Sequence, residues 1–326
     1  MIVINESAAR RLVTPADAID AVEAAFKHVA QREATSFPVV RERLLPGPDV
    51  YGIKSGAAVA AGVLGLKIGG YWTGNAARNL TRHQSTTVLS DPQTGQCVAL
   101  VSSNYLTGLR TAAACALAIR TLARQDVRTL GVIGSGAQAL FHIELACLVR
   151  PFERLLIASA NPQNASDCAD KARRFKLDAR AADAETVARE ADVLITLTPS
   201  TRPVVMREWI RPGTHISAMG ADTAGKQELD VRIMTDARVY VDDWAQAAGI
   251  GECQAAVRAQ LLSSARIAGS LCDVLGGTLP GRSNDTEITV FDSSGMAVQD
   301  IFIANRALQA ANANAVEGVH SVDLTA

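Results

Sequence analysis

The chain has 326 residues, 32 basic and 33 acidic, for a formal net charge of −1. It has no long run of one sign and so no electrostatic footprint for nucleic acid or an anionic membrane, which makes a small-molecule partner the expectation. Its length exceeds the roughly 100–200 residues of a single domain, so two domains are expected. The opening MIVINESAARRLV is too briefly apolar for a signal peptide, and no apolar run approaches the roughly 20 residues of a bilayer span. Six cysteines without a CxxC pair read as buried structural thiols of a reducing compartment, so a cytoplasmic protein is expected.

Along the chain, Thr14 reads as a helix N-cap, with Pro15 at the first helical position and Asp17 three residues after the cap. Ile19, Val22, Phe26 and Val29 then share one face of a helix reaching Ala30. From Phe37 to Val101 the texture changes to short apolar or alternating runs punctuated by glycine, which read as strands, among them 63–68, 86–90 and 97–101. The sequence Asp91-Pro92-Gln93-Thr94-Gly95 between the last two is hairpin chemistry, with proline fixing one turn residue and glycine supplying a positive φ. Residues 106–123 (LTGLRTAAACALAIRTLA) are apolar on nearly every side after Arg110, as in a buried helix that links two domains.

From Val127 onward, strands at 127–133, 155–158, 193–197, 214–219, 239–241 and 288–291 alternate with helical stretches. That alternation predicts a parallel sheet wound on both faces. A last helix, 296–310 (MAVQDIFIANRALQA), is expected to return to the first domain. There is no internal repeat and no low-complexity segment. The fold class is therefore α/β: a Rossmann-type doubly wound domain over 114–299, and an α+β domain built from 1–113 with 300–326.

The sharpest motif lies in LGVIGSGAQAL, residues 130–140. Gly134, Gly136 and Ala139 form a G-x-G-x-x-A pattern directly after an apolar strand and directly before a helix. The first glycine permits the tight turn, the second lets the backbone approach a pyrophosphate, and the alanine allows close helix packing, with the helix N-terminus facing the phosphates. The bland alternative is a turn that merely joins strand to helix. An acid about 20 residues on commonly binds the ribose 2′-hydroxyl of NAD. Here residues 157–161 read IASAN, with neither an acid nor an adjacent arginine, so Ser159 and Asn161 can serve either cofactor; NAD(H) is favoured and NADP(H) stays open.

Four charged residues stand in surroundings expected to bury them: Arg41 after FPVV, Lys67 within GLKIG, Arg110 in the apolar helix, and Asp222 after Met219-Gly220-Ala221. Buried cations are costly unless paired, so three of them with apolar flanks point to a site for an anion such as a carboxylate. For each one, an internal salt bridge is the bland reading. Asp222 follows a strand and should lie at the carboxyl edge of the sheet, where ligands of doubly wound folds bind; its alternative is an Asp capping its own turn before Gly225.

At these residues the chain resembles the ornithine cyclodeaminase and mu-crystallin family over nearly its whole length. The matching stretches are Leu109-Arg110-Thr111-Ala112-Ala113, Gly134-Ser135-Gly136-Ala137-Gln138, GADTAGKQEL at 220–229, and ITVFDSSGMAVQD at 288–300. The resemblance implies a homodimer whose first domain binds substrate and forms the interface while the second binds NAD(P)(H). It implies that Arg41, Lys67 and Arg110 grip the α-carboxylate of an amino or imino acid, that Lys67 and Asp222 are catalytic, and that Asp222 manages the nitrogen and its proton. The implied cofactor contacts are Thr111, Gly134, Ser135, Gly136, Ala137, Gln138, Ser159, Asn161, Thr198, Met219, Gly220 and Asp222; no metal is implied.

One departure is informative. Family members that cyclise ornithine carry an acid thirteen residues before the lysine matching Lys67, where it meets the distal amine; here that position is Lys54. Two like charges about 4 Å apart at an effective dielectric near 20 repel by roughly 4 kcal/mol, so a cationic side chain is disfavoured and a second carboxylate favoured. With His83 nearby, the pocket suits a four-carbon dicarboxylate such as iminosuccinate, and Tyr71-Trp72 with His83-Gln84-Ser85-Thr86 resembles the iminosuccinate reductase-like members. Lys54 can instead pair on the surface, and His83 can be structural. The leading expectation is an NAD(P)H-dependent imino acid reductase. The alternatives are an ornithine cyclodeaminase, a pyrroline- or piperideine-2-carboxylate reductase, and a cofactor-holding binding protein of mu-crystallin type.

Overall fold

The structure is a computed structural model that describes residues 1–324. It divides into two compact units, Met1–Arg110 with the segment from Met296 onward, and Thr111–Gly295. The boundaries thus fall at Arg110 and Met296, where the sequence suggested 113 and 300.

The first unit begins with β1 (Ile2–Ile4) and, after a short helix, α1 (Pro15–Ala30). Thr14 and Asp17 close a reciprocal capping box at the start of α1, satisfying helix-end N–H groups that have no partner within the helix. Next come β2 (Val40–Arg43), β3 (Val50–Ala58), β4 (Val63–Tyr71), β5 (His83–Ser90) and β6 (Cys97–Ser102). They form a mixed sheet in the order β1-β6-β5-β4-β3, with β2 paired to the far side of β3. Antiparallel hairpins join β3 through β6, and Gly95 at φ 74° closes the turn between the last two.

Helix α2 (Asn104–Leu122) belongs to the first unit up to Arg110 and to the second from Thr111. Its residues from Ala112 to Ile119 are buried, as an all-apolar helix surface requires. The second unit then runs β7 (Thr129–Ile133), α3 (Ala139–Val149), β8 (Arg154–Ala158), α4 (Pro162–Ala172), β9 (Asp178–Ala181), β10 (Val193–Thr196), β11 (His215–Ala218), β12 (Arg238–Val241) and β13 (Thr289–Asp292). These strands are all parallel, in the order β9-β8-β7-β10-β11-β13-β12.

Strand β7 is buried along its whole length, as a parallel strand covered on both faces must be. The strand order reverses between β7 and β10, so a ligand crevice is expected outside their carboxyl ends. The chain finally re-enters the first unit through α5 (Ala297–Ala313), which packs on α1, β3 and β4.

Candidate active site

In the first unit the site is written in strand register. Lys54 on β3 is the direct antiparallel partner of Lys67 on β4, and Lys67 is the partner of Thr87 on β5. Arg41 on β2 stands opposite Gly52, and Gly52 opposite Gly69. Directly opposed side chains and those two residues apart share a face, so Arg41, Lys54 and Lys67 project from one side of the sheet over a floor of glycines. His83 shares that face, opposite Tyr71. It lies four residues along β5 from Thr87, or about 13 Å at roughly 3.3 Å per residue.

Helix α5 supplies the counter-charge to this face. Asp300 Oδ1 accepts a hydrogen bond from Lys67 Nζ at 2.8 Å and lies 2.9 Å from Arg110 Nε. Arg110 Nη1 donates to Gln299 Oε1 at 3.1 Å. The start of α2 is fastened to β5, with Thr87 Oγ1 2.7 Å from Ser103 Oγ and the Ser85 backbone N–H donating to Asn104 Oδ1 at 2.8 Å. Arg110 follows along the same helix. Lys67, Arg110 and Asp300 are all buried.

Burial, together with the charges of Arg110 and Lys54, brings the Lys67 ammonium down to about 7, although Asp300 opposes the shift. Burial pushes Asp300 up, but Arg110, Lys67 and Lys54 outweigh it and hold the carboxyl below its ordinary value. The charge of Lys54 therefore reaches the centre of the cluster. Asp300 Oδ2 and Gln299 Nε2 are buried without a hydrogen-bond partner among the described residues, which leaves an acceptor and a donor with unused capacity at the same place.

Two expectations of burial are corrected. Arg41 is exposed, because β2 is an edge strand paired only with β3 and all four of its residues face solvent in the single chain. Asp222 is also solvent-accessible, its side chain 41% exposed in an ion pair of 2.6 Å with Lys226. Thr223 Oγ1 also donates to Asp222 Oδ1, at 3.1 Å.

In the second unit the glycine turn sits at the carboxyl end of β7. Gly134 has φ +115°, and a Cβ there would lie 2.8 Å from the Leu197 carbonyl oxygen, so only glycine fits. A Cβ at Gly136 would meet nothing within 4 Å, which leaves that stretch of backbone open to a ligand. These two features fit a pyrophosphate lying against the turn at the N-terminus of α3. Ser135, Ala137 and Gln138 complete the turn.

Ser135 Oγ donates to Ser159 Oγ at 2.9 Å across the ends of β7 and β8. Asn161 caps α4, its Oδ1 accepting from Gln163 N at 2.9 Å. Thr111 is the first residue of the second unit. Met219 is buried just past β11, where its N–H donates to Thr196 O at 3.0 Å. The N–H groups of Thr198 and Gly220 are both spent on Glu228.

The model of the ornithine cyclodeaminase/mu-crystallin family matches residues 2–314. The chain belongs to that family. It is 42% identical over 311 residues to the iminosuccinate reductase of Paracoccus denitrificans, covering 95% of this chain and 97% of that one. It is 34% identical to an alanine dehydrogenase of Archaeoglobus fulgidus, over 93% and 92% of the two chains. The crystal structure of the Paracoccus denitrificans iminosuccinate reductase in complex with NAD+ matches with a TM-score of 0.94 at 41% identity over 99% of both chains.

Sequence reasoning did not single out Asp300 or Glu228. The signal for Asp300 was an acid in the first turn of an otherwise apolar helix, Met296-Ala297-Val298-Gln299-Asp300-Ile301. That is an ordinary N-terminal preference and does not by itself reveal a partner.

Proposed function

We propose that this chain is an NAD(H)-dependent imino acid reductase that converts iminosuccinate to aspartate. The observation that carries the substrate is Lys54 standing directly opposite Lys67, with Arg110 beside them against the carboxylate of Asp300. With Lys67 protonated, these four groups sum to two positive charges. Like charges in directly opposed cross-strand positions are unfavourable until an anion joins them, and a dicarboxylate supplies two negative charges.

In this reading Lys67, Arg110 and Arg41 hold the α-carboxylate, while Lys54, with His83, takes the side-chain carboxylate. When bound, NADH supplies the hydride that reaches C2 of the imino acid. Overall the C=N bond gains that hydride and one proton, giving the amine. Asp222, at the carboxyl edge of the second unit's sheet, is assigned to the nitrogen and its proton. Lys67, with its proton loosely held near neutrality, fixes the substrate carboxylate and is the second candidate to exchange that proton. Fixing both ends of a short, flexible acid orients C2 before reaction, which removes part of the entropic barrier.

NAD(H) is assigned in preference to NADP(H), because residues 159–164 offer no cation for a 2′-phosphate. The protein is further assigned as a homodimer. Phe37, Val40, Leu44, Leu45 and Tyr71 are large apolar side chains at 41–83% exposure, clustered around β2 and the end of β4. An exposed apolar patch of this kind marks an association surface. A cytoplasmic location agrees with the free thiols; no helix among the described residues is long and apolar enough to cross a membrane.

The deciding experiment mixes the protein with NADH, oxaloacetate and excess ammonia. NADH consumption is expected. No consumption, with turnover of pyrroline- or piperideine-2-carboxylate instead, overturns the dicarboxylate assignment.

A further inference from the structure

Two loops at the carboxyl edge of the second unit's sheet converge on one buried carboxylate. Glu228 Oε1 accepts from the Thr198 N–H at 2.6 Å, and Oε2 accepts from Thr196 Oγ1 at 2.8 Å and from the Gly220 N–H at 2.9 Å. Thr196 ends β10, and Gly220 lies two residues beyond β11. Glu228 is itself fully buried, on the short strand Gln227–Leu229. A Cβ on residue 220 would stand 2.4 Å from the Thr198 carbonyl oxygen and 2.5 Å from Glu228 Oε2, so the two loops close on each other only because residue 220 is glycine.

We propose that Glu228 is a positioning residue for the nicotinamide cofactor: its carboxylate ties the loop bearing Thr198 to the loop bearing Met219, Gly220 and Asp222, and so fixes the edge on which the cofactor lies. This rests on the NAD(H) reading. A carboxylate suits the task because it has two acceptor oxygens and no hydrogen to place, so one side chain serves both loops, with Oε2 shared between Thr196 and Gly220. The tie is anchored from behind. Glu252 Oε1 accepts from the N–H groups of Glu228, at 2.9 Å, and Leu229, at 2.7 Å, which holds the backbone that carries the Glu228 side chain.

Burial raises both acids. At Glu228 the donors from Thr198, Thr196 and Gly220 counter the rise, whereas Glu252 also feels the charge of Glu228 and lies the higher of the two. Since both loop N–H groups are consumed by Glu228, they contribute to cofactor binding through geometry and not as direct donors.

The test is NADH titration by fluorescence on full-length Glu228→Gln and Glu228→Asp. Gln keeps the volume but replaces one acceptor oxygen with an NH2 that faces loop N–H groups. Asp keeps the charge but is one methylene short. Both should raise the Kd for NADH about tenfold or more, and KM for NADH with it, while KM for the imino acid at saturating NADH stays within about threefold.

A role in stability alone would lower the melting temperature and the active fraction while leaving the folded fraction's Kd for NADH within twofold of wild type; that result overturns the proposal. If neither variant folds, Thr196→Val, which removes one donor at constant shape, should still raise Kd about threefold, and an unchanged Kd there overturns the proposal equally. If wild-type protein fails to bind NADH, the cofactor reading itself has failed, which is a separate outcome.

Discussion

Lys54 and Lys67 face each other directly across two antiparallel strands, and both charges act on the same carboxylate, Asp300. Under the proposed function, Lys54 is the residue whose charge is expected to select the substrate. Lys54→Glu should lower kcat/KM for iminosuccinate by about a hundredfold or more, since the change removes an attraction and adds a repulsion, each of a few kcal/mol at partly buried distances. It should also improve turnover of an imino acid with a cationic side chain. NADH oxidation rates across a small substrate panel check this, and unchanged specificity shows that Lys54 does not meet the substrate.

Proton linkage at Lys67 gives a second expectation. In the free protein its ammonium lies near 7, lowered from 10.5 mainly by burial. A bound dicarboxylate adds negative charge beside it and raises it again. At pH 8 binding of succinate, an unreactive dianion, should therefore take up close to one proton, and near pH 6, where Lys67 is already charged, close to none. Calorimetry in two buffers of different ionisation enthalpy reads this directly.

The same shift fixes the sign of Lys67's effect on folding. Between about 7 and 10.5 the unfolded chain holds the proton that the folded one has lost, so the cost of burying Lys67 diminishes as pH rises through that window. Lys67→Met should abolish the proton uptake.

The two glycines of the dinucleotide turn should separate stability from binding. Gly134→Ala forces a side chain onto φ +115° and against Leu197, costing about 1–3 kcal/mol, with both a lower melting temperature and lost NADH binding. Gly136→Ala meets nothing within 4 Å, so its melting temperature should match wild type while NADH affinity falls. Equal effects of the two on affinity and stability would contradict the assigned roles.

Cofactor choice should follow the ends of β7 and β8. Ser159 is bonded to Ser135 and Asn161 is occupied as a helix cap. A 2′-phosphate brings roughly −1.5 to −2 charges to the end of β8, where residues 159–164 carry no cation, so kcat/KM with NADPH should be at least about tenfold below that with NADH. Ser159→Arg should narrow the gap.

The sequence by itself determined what is local. The glycine turn was legible because strand, turn and helix are consecutive and the backbone demand on Gly134 is met within a few residues. The capping box of Thr14 and Asp17 and the hairpin at Gly95 were legible for the same reason. The parallel sheet followed from alternating periods. What only the tertiary structure decided depends on register and on distant partners.

Strand β3 (VYGIKSGAA) is rich in glycine and small residues and shows no clean alternation, so neither its pairing nor the side Lys54 faces could be read from it. Asp300 meets Lys67 across 233 residues of chain, a contact that no spacing announces. Arg41, flanked by apolar residues, read as buried, yet an edge strand leaves its outer side to solvent in the single chain. Glu228 looked like one acid among many until two loops folded onto it, because the value of a carboxylate as a tie is set by the donors brought to it in three dimensions.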